Sequence, residues 1–414
     1  MINNFKNTVF LIALSIILIS FFILCYNDTS QENIEGKQAV LERLSNIIHS
    51  IDINDTVYND LSFLEDVLHH KKIVLLGELT HSDATTFKAK SRIVRYLHEK
   101  LGYNVVLYEA GLYDMWFMAA GDTLKPNLGL WHFWWDNDEC RPLWNYFQKA
   151  KQSENPVLLG GFDIQTSGQI EIDVRKQLIT NHLSVKDIDI DDYPSFKKLL
   201  NLFYANWIWT NKNMSQSLLD SIQTDLSQIL IELKKTKDGI DDEVNYRYLS
   251  GIKVFNELRR NYETGDPIRL GVRDSLMADN LIWLVEEIFK EEKVIIWSAN
   301  IHIFNDGAHL GFKPMGAYIK EKYGNDAYSI AFASYARQTK NGHLYDVSSN
   351  KSIEYLLHLN KNKYSFINLN NVERSFLDED NISSVNQMIN LKNNWKEQSD
   401  GIFFIDAIMP LNAK

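Results

Sequence analysis

Cysteine is almost missing from this chain: 414 residues hold two, Cys25 and Cys140. Without Cys25 no intrachain disulfide can form, and a Cys-rich zinc site is excluded by count. Cys140 reads as a small buried hydrophobe rather than a nucleophile. Basic blocks are also missing. With a net charge of −11 a general phosphate-binding surface is excluded, so nucleic acid is not an expected partner. There is no G-x-S-x-G elbow, H-E-x-x-H pair, P-loop, dinucleotide glycine fingerprint or EF-hand loop. A serine nucleophile and a zincin are therefore unsupported, and nothing calls for an organic cofactor.

Long apolar runs are confined to one place. Thr8–Leu24 follows Lys6 and precedes Cys25, Asp28, Glu32 and Glu35. This stretch (residues 1–25) reads as a signal peptide or a short membrane anchor, with the rest of the chain outside the cytoplasm at the cell envelope. Cys25 directly after the run suggests a lipoprotein cleavage site, although Leu24 stands where a small residue is usual. An uncleaved anchor and an ordinary signal are the alternatives. Residues 26–36 are polar and read as a tether.

The whole chain is 45% apolar, and all ten of its tryptophans lie in the body from residue 37 to 414, which is thus rich in what makes a core. Its organising stretch begins at Ile73. The runs Ile73–Leu76 and Val105–Leu107 are short and β-branched, as buried parallel strands are. Between them Phe87, Val94, Leu97 and Leu101 recur at helical spacing, which predicts one βαβ unit with adjacent strands. Glu78, His81 and Glu109 then fall just past strand C-termini, where open α/β sheets place their ligands.

Further strands are expected at Pro156–Gly161, Lys293–Trp297, Tyr328–Ala333, Tyr364–Leu369 and Ile402–Ile405. Helices are expected at Gln38–Ile51, Leu61–Leu68, Tyr113–Ala120, Arg273–Phe289 and Met315–Tyr323, with a loop at Asp122–Leu128. From about 171 to 263 the pattern is continuously helical, including a face formed by Phe196, Leu199, Phe203 and Trp207. The expected fold class is α/β: a mostly parallel sheet flanked by helices, carrying a helical insertion that caps its C-terminal edge. The aromatic-dense stretch from Trp131 to Phe147 reads first as core packing, and second as the wall of an apolar pocket.

Four strand ends carry chemistry: Glu78 with His81, Glu109, Asp163, and Asn300 with His302. Lys90 lies on the apolar stripe of its helix, where a charge must be paired. Arg273 is placed at a helix start, where carboxylates are preferred, so it is expected to face the strand-end acids. A histidine beside carboxylates and cations suits general-base activation of water. Glu78 or Glu109 would hold the imidazole tautomer. His302, Lys90 or Arg273 would stabilise an oxyanion. Lys90, Asp163 and Asn300 are candidates for substrate contact. A second arrangement uses Glu78, His81, Glu109 and His302 as ligands of a divalent metal in a metal-assisted hydrolase.

The segments GELTHSDATTFKAKSRIVRYL, GFD at 161–163, RDSLMADNLIWL at 273–284, WSANIHI at 297–303 and PMGAYIKEKYG at 314–324 resemble the erythromycin esterase family. The resemblance runs in the family's order over about 73–332. It implies an α/β core with a helical part, a deep cleft, and hydrolysis of a macrolide lactone or related ester by activated water without a covalent intermediate. Macrolide resistance is the implied role. On that reading His81 matches the general base, Glu78 and Glu109 its carboxylate neighbours, and His302 the second histidine of a W-x-H-N-x-H run. The first histidine of that run is Ala299 here. That departure motivates a different class of reading, an envelope-tethered binding protein that keeps the pocket without turnover.

Overall fold

The computed structural model describes residues 34–121, 124–201, 215–263, 265–372 and 375–411. The N-terminal apolar run with Cys25, most of the tether, and Phe203 and Trp207 lie outside them. Residues 34–36, expected to belong to the tether, are already helical.

The framework is a nine-stranded mixed sheet. Its central strands are β2 (Ile73–Leu76), β5 (Val294–Trp297), β3 (Val105–Gly111), β4 (Leu158–Asp163), β6 (Ala327–Gln338) and β11 (Gly401–Ile408). They run parallel in the order β11-β6-β2-β5-β3-β4. β8 (Tyr364–Asn368) and β1 (Ser45–Ile47) extend the β11 side as antiparallel strands, and β7 (Leu344–Asp346) hairpins back onto β6. β9 (Asn381–Asn386) and β10 (Ile389–Asn393) form a separate pair.

The continuous apolar runs are explained by burial on both faces. Val74, Leu76, Val106, Tyr108, Ile295 and Trp297 point into one core, with Phe87, Val94 and Leu97 of the helix Ala84–Leu101. Their neighbours Ile73, Leu75, Val105, Leu107, Val294 and Ile296 point the other way, onto Met277, Leu281, Met315 and Ile319 of two other helices. This alternation is the period-two geometry of a strand used twice. The helices Ile172–Val185, Pro194–Asn201, Gln216–Thr236 and Ile240–Asn261 build a core of their own. That core meets the sheet through Tyr113 and Trp116, on the helix leaving the C-terminal end of β3.

Two expectations about order are corrected. β2 and β3 are not neighbours: β5, encoded far downstream, lies between them. Apolar patterning identifies a strand but holds no information on where it inserts. Residues 34–44 are helical, but the expected helix to Ile51 stops there, because Ser45–Ile47 pairs with the free edge of β8. Smaller differences are the short helix Pro126–Gly129 within the expected loop, and the helix start at Pro267 rather than Arg273. Asp266 caps that helix and its proline occupies the first turn, a favourable start.

Strand register aligns the chemistry. Leu76 and Tyr108 both pair with Trp297, so the residues after each come level at one sheet edge. Asn300 locks this edge. Its amide donates to the carbonyls of Phe332 and Val385, each at 2.7 Å, and accepts from Phe332 N at 3.0 Å. Gly77 passes so close that a Cβ there would lie 2.0 Å from Asn300 Oδ1. We expect Gly77→Ala to lower stability by about 1–3 kcal/mol, as over-packing a core does; a urea midpoint equal to wild type would refute this packing account.

Candidate active site

At the level sheet edge two charge clusters stand side by side. The first is centred on Glu78, which is fully buried. Its Oε2 accepts from Lys90 Nζ at 2.7 Å. Its Oε1 takes His81 Nδ1 at 2.8 Å and the indole Nε1–H of Trp134 at 3.1 Å. Lys90 is equally buried; it also donates to the Ser298 carbonyl at 3.3 Å and lies 4.2 Å from the Trp297 ring centre. It comes from the first half of the helix Ala84–Leu101, whose N-terminus is capped by Asp83 through the amides of Thr85 and Thr86. The charge on the apolar stripe is thus paired, as its position demanded.

The second cluster is centred on Arg273. Its guanidinium grips Asp163 twice, Nε at 3.1 Å and Nη2 at 2.7 Å, and reaches Glu109 Oε1 at 2.9 Å. Glu109 Oε2 accepts from Ser298 Oγ at 2.7 Å and from the amide of Ala299 at 3.0 Å. His302 bridges the rest: Nδ1 meets Asp274 at 2.9 Å, and Nε2 lies 3.2 Å from Glu109 Oε1. Nε2 is also 3.2 Å from Arg273 Nη1. One nitrogen cannot donate to Glu109 and accept from arginine at once. The protonated ring is favoured, since it sets two cations against the buried carboxylates of Asp163, Glu109 and Asp274.

The environments separate the two histidines. Burial draws His302 down, but Asp274 and Glu109 outweigh it and push its pKa up to about 10, so it is an imidazolium at neutral pH. Burial raises Glu109, and the charges of His302, Arg273 and His81 more than reverse this, holding it well below the usual carboxylate range. Lys90 is drawn down by burial to about 8, with Glu78 and Glu109 opposing. For His81, burial lowers the pKa, and the hydrogen bond it donates to Glu78, with the charges of Glu109 and Glu78, raises it above the ordinary value. His81 is also the accessible member of the group, its side chain 41% exposed against 6% for His302.

His81 borders a cleft of about 660 Å³ shared with Thr80, Ser82, Phe133, Arg337 and Tyr345. Its ring stacks on Phe133 with centroids 4.8 Å apart and planes 9° apart, and meets the edge of Trp134. The aromatic stretch therefore serves both expected purposes. Trp134 is core and Phe133 is cleft wall. Another hollow of about 590 Å³ beside β4, lined by Trp116, Leu158 and Phe289, holds none of these groups.

The structure thus brings Glu78, His81 and Lys90 together, and Glu109, Asp163, Arg273 and His302 together. Asn300 stands apart in role, its amide spent on backbone. Lys90 and Asp163 are buried against their partners, which makes them positioning groups rather than surfaces for a ligand. Arg273 sits in the second turn of its helix, not at its start. Among the described residues no group of three or more His, Cys, Asp or Glu side chains is arranged to hold a metal ion. Glu78 and Glu109 instead face Lys90 and Arg273, a donor set that does not fit the four-ligand arrangement. Asp274, Ser298 and Trp134 were not anticipated. Asp274 left a signal, being a carboxylate in line with the buried Ala278 and Leu281.

An α/β sheet thus carries paired acids, cations and one accessible imidazole toward its strand ends. The chain belongs to the erythromycin esterase family, whose model matches residues 98–408. His81 and Glu78 precede that span. The chain is 26% identical over 336 residues to YbfO of Bacillus subtilis (strain 168), which carries a provisional hydrolase name, covering 73% of each chain. It is 24% identical over 315 residues to erythromycin esterase type II of Escherichia coli, covering 69% of this chain and 74% of the relative. Among solved structures, a succinoglycan biosynthesis protein superposes with a TM-score of 0.74 at 17% identity, covering 93% of this chain and 99% of that one. An erythromycin esterase mutant in its open conformation gives 0.68 at 15% identity, covering 88% and 98%. These two establish the fold. Family and relatives support hydrolase activity.

Two measurements test the electrostatics. By NMR, His81 is expected to titrate above pH 6.5, to fall in Glu78→Gln, and to rise in Trp134→Phe, which takes a donor from the same carboxylate oxygen. Movement in the opposite directions would contradict the arrangement. For His302 the folded pKa is raised above the unfolded value, so its contribution to stability is complete below about pH 6.5 and is lost as pH climbs through about 10. The stability difference between wild type and His302→Asn, from urea unfolding, should shrink steadily over that interval; a difference independent of pH would remove the imidazolium.

Proposed function

We propose that this protein is a carboxylic ester hydrolase in which His81 activates water, with a macrolide lactone or a related ester as substrate. The observation that carries this reading is the pairing of a solvent-reaching imidazole with a buried, cation-held carboxylate at the floor of a cleft. Glu78 accepts only, so the proton of His81 resides on Nδ1 and the lone pair on Nε2 is free. Water gives a proton to Nε2 as its oxygen bonds to the ester carbon, and the carbonyl electron pair moves to oxygen. Arg273, 12% exposed, supplies positive charge for that oxyanion. Collapse breaks the carbon–oxygen bond to the leaving alkoxide, which takes the proton from the His81 imidazolium. One water is added, and acid and alcohol are released.

The raised pKa of His81 makes its imidazole a stronger base toward water. The apolar run and Cys25 support a location at the cell envelope, outside the cytoplasm, and macrolide inactivation is the role this reading carries. Ala299 favours a second reading, a binding protein without turnover.

Protein lacking residues 1–25 should convert erythromycin, or an ester in a panel of ring sizes and simple esters, to a product heavier by one water in mass spectrometry. His81→Ala should keep its circular dichroism spectrum and lose at least ~100-fold in turnover. Near-normal turnover would take the base role from His81. Binding without product from any ester would favour the second reading.

A further inference from the structure

The protein is acidic, yet the cleft beside His81 is framed by unpaired cations. Arg337 comes from the outer half of β6, where it pairs in register with Tyr345 of β7. It is half-buried, and its guanidinium makes one hydrogen bond, to Ser82 Oγ at 3.1 Å. Ser82 follows His81, so this cation is tied to the loop that carries the base. Among the described residues no carboxylate pairs with Arg337. Buried arginines elsewhere in the chain do have such partners: Arg92 has Asp60, Arg175 has Asp114, and Arg273 has Asp163. An arginine left with most of its donors free at a cleft wall is available to a ligand.

The surroundings agree with that. The cleft continues past Gln338, Thr339 and Lys340 into an adjoining hollow of about 420 Å³ that also borders Lys88. Lys340 and Lys88 are exposed and carry no ion pair among the described residues. Two acids, Asp136 and Glu139, line the two hollows, and cations exceed them. Phe133, stacked on His81 and in parallel on Trp131, gives the cleft an apolar wall. One guanidinium balances the single charge of a carboxylate, and its planar fork matches that group.

We propose that Arg337, supported by Lys340, forms a carboxylate-binding subsite, so that the preferred substrates are esters carrying a free carboxylate a few bonds from the scissile carbonyl. This rests on the hydrolase reading above and narrows it to the related ester rather than the macrolide lactone, since erythromycin carries a basic amine and no carboxylate. The carboxylate docks on Arg337, the apolar part of the molecule lies against Phe133, and the ester carbonyl is held at His81. Binding energy gained at the anion is thereby spent on orienting the reacting carbon.

The test uses three ethyl esters of similar length followed by NMR: monoethyl succinate, ethyl butanoate, and the ethyl ester of 4-(trimethylammonio)butanoic acid. Wild type should favour the anionic ester over the neutral one by at least ~10-fold in kcat/KM, with the cationic ester poorest. Arg337→Gln should bring the anionic-to-neutral ratio to about one, Arg337→Lys should retain part of it, and Arg337→Glu should turn the preference toward the cation. Added salt should shrink the wild-type ratio. A wild-type ratio near one, or a ratio unmoved by Arg337→Gln, overturns the subsite. If none of the three is hydrolysed, nor any ester of the wider panel, the hydrolase reading falls by itself. The subsite is then read by calorimetry with the same three compounds. Tighter binding of monoethyl succinate than of ethyl butanoate, equalised in Arg337→Gln, upholds it, and equal binding to wild type overturns it.

Discussion

The arrangement depends on two carboxylates buried where water does not reach them and paired there with cations. Glu78 and Glu109 are buried toward the C-terminal ends of β2 and β3, the strands that flank β5, and each is held by a cation brought from a helix. Removing charge from water is costly, and attraction repays it only when geometry is good and the remaining lone pairs are satisfied. Both conditions are met here. Glu78 has Lys90, Trp134 and His81 for its two oxygens; Glu109 has Arg273, Ser298, Ala299 N and His302. The acids are therefore rigid acceptors, and the groups they touch inherit defined orientations.

From this follows the contrast between the histidines. His302 has a carboxylate at each ring nitrogen and almost no contact with solvent, so it becomes a fixed cation. His81 has one carboxylate and an open side, so it stays able to exchange a proton. The residue type is the same and the surroundings assign the work, as is general where titratable groups share a site. The insertion of β5 between β2 and β3 makes this possible. It introduces Ser298, Ala299 N and His302 between the two acids, where they complete the shell of Glu109 without competing for Glu78.

Ala299 shows how far a family pattern may be read. Its backbone amide still serves Glu109, and only the side chain expected from the resemblance is missing. The hydrogen bonds around Glu109 are complete without it. The core beneath the cleft superposes on relatives at identities below one fifth.

Much of the architecture was legible in order of residues. Buried parallel strands announce themselves as continuous apolar runs, and all seven expected strands occur, Ile73–Leu76 with its expected ends and the others with ends shifted by a few residues. The helix Met315–Tyr323 ends at Gly324 with φ 53°, a conformation that favours glycine. Lys90 was legible as a charge needing a partner, because a helix face is a local property. Its partner was a guess among several acids. Strand order, the edge pairing that turned Ser45–Ile47 from helix to strand, the shared oxygen of Glu78 between His81 and Trp134, and the commitment of Asn300 to backbone were decided only by the tertiary structure. The reason is physical: periodicity and capping are set by neighbours within a turn or two along the chain, and therefore belong to the sequence. Which buried charge meets which is set by strand register across segments some two hundred residues apart, and it exists only once the sheet has closed around them.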